Sequence, residues 1–82
     1  MEQRVFNNKI DKLISDIERQ MVYDHKALSD EIYNNIYNQL DFNFQEFDDV
    51  EFAFKANGNV LLNITGNILF ENQVIQRIEF LV

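Results

Sequence analysis

The sequence predicts a two-layer α+β fold, an N-terminal helical hairpin packed on a three-stranded antiparallel meander (ααβββ). Three observations predict it. Apolar residues recur at helical spacing through roughly the first 40 positions. After Leu40 the period changes to two, the repeat of a strand with one apolar face. Pro is absent and the first Gly is Gly58, so Gly and Pro punctuation falls only in the β half and periodicity carries the reading before it.

Phe6, Ile10, Leu13, Ile14, Ile17 and Met21 form one stripe, with Asn7, Lys9, Asp11, Lys12, Asp16 and Glu18 opposite, which predicts a first helix over about residues 3–22. Leu28, Ile32, Ile36 and Leu40 repeat every four residues, widened by Tyr33 and Tyr37, which predicts a second over about 26–40. Between them, in the segment MVYDHK, Val22 and Tyr23 are weak helix formers, and Asp24 and Ser29 can each cap a new N-terminus. A hairpin is favoured over one continuous helix, whose length would far exceed the usual range.

Val50, Phe52, Phe54 and Ala56 alternate with Glu51, Ala53 and Lys55, predicting a strand over about 49–56. Asn57, Gly58 and Asn59 read as a hairpin loop, because Asn and Gly tolerate positive φ. Val60, Leu62, Ile64, Gly66, Ile68 and Phe70 predict one long strand over about 60–70, with Gly66 as the place where it can bend. A last strand spans about 74–82. Parity sets its register: a three-residue loop at Glu71, Asn72 and Gln73 places Phe70 opposite Val74, Gly66 opposite Ile78, Ile64 opposite Phe80 and Leu62 opposite Val82. The same reasoning across 57–59 pairs Phe54 with Leu62 and Phe52 with Ile64. Leu61, Leu69, Ile75 and Leu81 then fall on the outer sheet face, and Ile75 and Leu81 on an edge strand available to a second copy.

Eighty-two residues are expected to make a single domain, since a chain this short buries only about 60% of its unfolded surface. The absence of Cys fits a reducing, cytoplasmic setting, and no apolar run reaches the roughly 20 residues that span a bilayer. The net charge of −7 is unevenly placed: residues 1–26 and 55–82 are each neutral, whereas 27–54 hold seven acids and no base. Direct nucleic-acid binding, which draws on clustered Lys and Arg, is not expected. A basic protein surface is the complementary partner, including one that ordinarily holds nucleic acid.

Catalysis finds little to use. The chain has one His, His25, and no Cys, so a nitrogen or sulfur zinc site has no ligand set. Neither glycine belongs to a phosphate-cradling motif. Glu46, Asp48, Asp49 and Glu51 lack the spacing of a calcium loop, and alternate acids on a strand point to opposite faces. No enzyme, metal or cofactor is expected.

The stretch LDFNFQEFDDVEFAF, residues 40–54, draws attention to itself with five phenylalanines and five acids. Asp41, Glu46, Asp48, Asp49 and Glu51 supply charge for a docking site, and Phe42, Phe44 or Phe47 supplies an aromatic anchor. Eleven Asn among many Ile, Phe and Asp suggest an AT-rich coding sequence of the kind phages and mobile elements carry, and with it an inhibitor or accessory protein. The other expectation is a homo-oligomeric assembly protein, meeting its copy through Ile75 and Leu81.

Overall fold

The first helix, α1 (Gln3–Gln20), buries Phe6, Ile10, Leu13, Ile14 and Ile17, the stripe its spacing requires. It stops because Met21 is extended (φ −136°, ψ 152°), so the first two elements are not one continuous rod. The second helix, α2 (His25–Gln39), buries Leu28, Ile32 and Ile36. The computed structural model describes residues 1–21 and 25–82; the expected capping role of Asp24 and the turn at Val22 and Tyr23 lie outside them.

Two tyrosines of α2 join the helices. The Tyr33 hydroxyl donates to Asp11 Oδ1 at 2.5 Å, with the Asn7 carbonyl 3.1 Å away, and the Tyr37 hydroxyl donates to Asn7 Oδ1. Their rings stack at 6.3 Å. Beyond α2, a short 3₁₀ turn (Phe44–Glu46) leads into the sheet.

Three antiparallel strands, β1 (Asp49–Asn57), β2 (Val60–Phe70) and β3 (Gln73–Leu81), lie in the order β1-β2-β3, giving the ααβββ arrangement with the helices on one face. Val50, Ile64, Ile68, Ile78 and Phe80 meet the helical stripes in a continuous core. Among the described residues no helix is long and apolar enough to cross a membrane.

Both hairpins depart from the expected loops in the same way. The first turn has two central residues, Gly58 and Asn59, with positive φ only at Gly58 (64°), as a type II′ turn requires. The second has Glu71 (φ 50°) and Asn72 (φ 65°), both left-handed as in a type I′ turn. Two-residue turns alone would set apolar side chains on opposite faces of neighbouring strands. One extra residue in each hairpin, Leu62 in β2 and Ile75 in β3, restores the parity by a bulge.

These bulges correct several pairings. Phe54 faces Ile64 and Phe52 faces Gly66, not Leu62 and Ile64. Phe70 faces Gln73 and Leu69 faces Val74, whereas Gly66 opposite Ile78 and Ile64 opposite Phe80 are as expected. Leu61 is core at 2% exposure while Leu62 is 46% exposed, the reverse of the simple alternation. Ile75, expected on the outer face, is partly buried against the core, and Leu81 is 81% exposed.

Candidate functional site

The segment from Leu40 to Asp48 holds three of the seven acids of the base-free stretch, Asp41, Glu46 and Asp48, and its side chains divide sharply. Phe47 is core at 1% exposure. Phe44 is half-buried in an aromatic cluster, 5.3 Å from Phe6 and 5.8 Å from Phe47, with Tyr37 at 6.3 Å. Phe42 is also half-buried against the core. These aromatics hold the α-to-β crossing in place, and Met1 adds to it by donating its backbone nitrogen to the carbonyls of Phe44 and Phe47.

The acids face outward, and most are fixed by backbone groups. Glu46 Oε2 accepts from the Asn43 N–H at 2.7 Å, while the Glu46 N–H returns to the Asn43 carbonyl at 2.8 Å, closing the 3₁₀ turn. Asp48 Oδ2 accepts from the Glu71 N–H at 3.0 Å and its own N–H donates to the Leu69 carbonyl, which clamps the β2–β3 turn to the start of β1. The Asp41 N–H donates to Gln76 Oε1 at 3.0 Å. Asp41, Glu46, Asp48 and Glu51 are all exposed.

Asp49 differs from the rest. Its Oδ1 is 3.0 Å from Lys9 Nζ and accepts from the Val50 N–H at 2.8 Å. The lysine ammonium, then the backbone donor, hold its carboxyl below the usual carboxylate value. One acid of the patch is therefore already neutralised from within. Among the described residues no three His, Cys, Asp or Glu side chains are grouped so as to hold a metal ion.

A second feature escaped the sequence reading. A groove of about 590 Å³ runs between α1 and β1, with Lys9, Lys12, Asp16 and Gln20 on its helical wall and Phe52, Phe54 and Ala56 among its strand residues. The sequence signal was present in the alternation of Phe52 and Phe54. Their edge position, which leaves them half-buried, depends on strand order.

The architecture defines a small two-layer α+β protein with an acidic, hydrogen-bonded helix-to-sheet crossing and an open edge beside α1. No family model, curated protein or solved structure matches the chain.

Proposed function

We propose that the protein is a small non-enzymatic binding module whose acidic crossing docks on a basic surface of a larger protein, one that itself binds nucleic acid being a natural target. The carrying observation is the run of seven acids without a base in residues 27–54. Supporting it, the exposed carboxylates of Glu46 and Asp48 are tied to backbone N–H groups, so little side-chain entropy is lost when a cationic partner arrives. Electrostatic attraction of this kind acts mainly on the association rate and its salt dependence. Phe42 and Phe44 contribute only their half-exposed edges. An inhibitory or accessory role in the cytoplasm, of phage or mobile-element type, is the setting that suits such a module.

The test is retention of a basic protein from host lysate by the wild type at low and high salt, repeated with Asp41→Asn, Glu46→Gln, Asp48→Asn and Glu51→Gln combined. The amide replacements keep acceptor oxygens for the backbone bonds. Loss of the partner, with a flattened salt dependence, is expected. Equal retention by the quadruple variant would overturn the reading.

A further inference from the structure

The two sheet edges are not equivalent. The β3 edge is strapped: Gln76 Nε2 donates to the Gln39 carbonyl, Gln76 Oε1 accepts from Asp41, and the Glu79 N–H reaches Gln39 Oε1 at 3.4 Å. Among the described residues no strand or strap covers β1, which has the groove beside it.

The Glu79 bond also fixes which backbone groups point where. Since the Glu79 N–H is turned away from β2, the pairs that bond β3 to β2 are those of Ile78 and Phe80, with Gly66 and Ile64. Antiparallel strands alternate, so Thr65 and Asn67 bond to β1 through Ala53 and Glu51. Val50, Phe52 and Phe54 must then direct their N–H and C=O groups outward. The Val50 N–H agrees, being accepted by the carboxylate of Asp49 and not by β2.

The strand along this edge reads Val50-Glu51-Phe52-Ala53-Phe54-Lys55-Ala56, which is close to a palindrome in chemistry about Ala53. We propose that the β1 edge is a self-association surface, on which a second copy of this chain pairs its own β1 antiparallel, with a two-fold axis through Ala53.

In that register Phe52 lies opposite Phe54 of the second copy, and both turn outward the groups that must bond. Glu51 lies opposite Lys55, twice, by symmetry. Both are exposed and, among the described residues, neither has an ion-pair partner within its own chain. Small Ala53 occupies the close non-hydrogen-bonded position on the axis. Centring on Phe52 would set Lys55 against Asp49, which Lys9 already holds, and centring on Phe54 leaves Lys55 facing Ala53. The groove supplies room beneath α1 for the incoming phenylalanine rings. The result is a continuous six-stranded sheet, which shares Glu51 with the acidic docking face but needs none of Asp41, Glu46 or Asp48.

Introduced cysteines test the geometry, because the chain has none of its own. Ala53→Cys should form an intermolecular disulfide readily, since Cα atoms of a non-hydrogen-bonded pair stand about 4.5 Å apart. Leu81→Cys, though more exposed, should crosslink slowly. Equal crosslinking of the two, or none at position 53, would overturn the proposal. In sedimentation, Lys55→Glu should weaken dimerisation about tenfold or more, by setting like charges across the axis twice, and Glu51→Lys combined with Lys55→Glu should restore it. An unchanged dissociation constant in the single variant, no recovery in the double, or a wild type monomeric up to about 1 mM would each defeat it. Both substitutions lie on the exposed outer face, and unchanged melting would show that folding is intact.

Discussion

The ring of Phe52 lies across Gly66 on the neighbouring strand so closely that a Cβ at Gly66 would stand 2.7 Å from its Cε1 and 2.8 Å from its Cδ1. The two are direct cross-strand partners. Glycine is required here for space beneath an aromatic ring. A glycine in a strand normally costs entropy, so alanine at an unconstrained site would be neutral or stabilising. Here Gly66→Ala is expected to destabilise by about 1–3 kcal/mol, because the ring must leave its place beside Phe6. Urea denaturation measures this. In a double-mutant cycle with Phe52→Leu the loss should shrink markedly, and additive effects would show that the ring is not the cause.

Tyr33 gives a second prediction, at the joint between the helices. Burial, then the hydrogen bond and charge of Asp11, push its hydroxyl well above the usual tyrosine value of 10.0. Removing the hydroxyl in Tyr33→Phe should cost about 0.5–1.5 kcal/mol. The raised value means that the folded protein favours the neutral phenol more than the unfolded chain does. That contribution is fully present below pH 10.0 and is lost as pH rises beyond it. The wild type should therefore lose stability more steeply than Tyr33→Phe in alkali, and parallel pH profiles would refute the assignment.

The helical half was legible almost to the residue, because a stripe such as Phe6, Ile10, Leu13, Ile14 and Ile17 has only one way to be buried. The sheet was legible in strand number and order but not in register. Parity correctly demanded one apolar face, yet two physical solutions satisfy it: a three-residue loop, or a two-residue turn with one bulged residue. The chain adopts the second twice, and the bulges at Leu62 and Ile75 have no local sequence mark. In the 40–54 stretch the phenylalanines read ambiguously, because Phe44 and Phe47 continue the helical stripe of Ile36 and Leu40 whereas Phe42 and Phe44 alternate as in an extended chain. The burial of Phe44 and Phe47 is decided by Phe6, more than 30 residues away, with Tyr37 also against Phe44.

The bulge makes a prediction that separates neighbouring leucines. Leu61→Ala should cost about 2–4 kcal/mol, as for a core leucine, whereas Leu62→Ala should stay within about 0.5 kcal/mol of the wild type. Simple alternation from Val60 to Phe70 gives the opposite order. Chemical denaturation of the two variants decides between them, and a costly Leu62→Ala with a silent Leu61→Ala would restore the unbulged strand.

The ion pair of Lys9 and Asp49 joins α1 to the first residue of β1, and its pH dependence carries a definite sign. The Asp49 carboxyl is held below its ordinary value of 3.8 by the Lys9 ammonium and the Val50 N–H. A depressed value in the folded state stabilises the protein above the unfolded value, and that share is lost as pH falls through the folded one. Lys9 and Asp49 are each close to half exposed, so solvent screening keeps the effect small, about 0.2–1 kcal/mol at neutral pH. Lys9→Met should show this deficit at pH 7, a smaller one in high salt, and almost none well below pH 3.8, where the carboxylate is protonated in both proteins. Asp49→Asn should behave the same way apart from retaining an acceptor for Val50. A Lys9→Met deficit that persists undiminished in acid would assign the loss to the packing of the lysine stem against α1 and β1, and would remove the charge from the account.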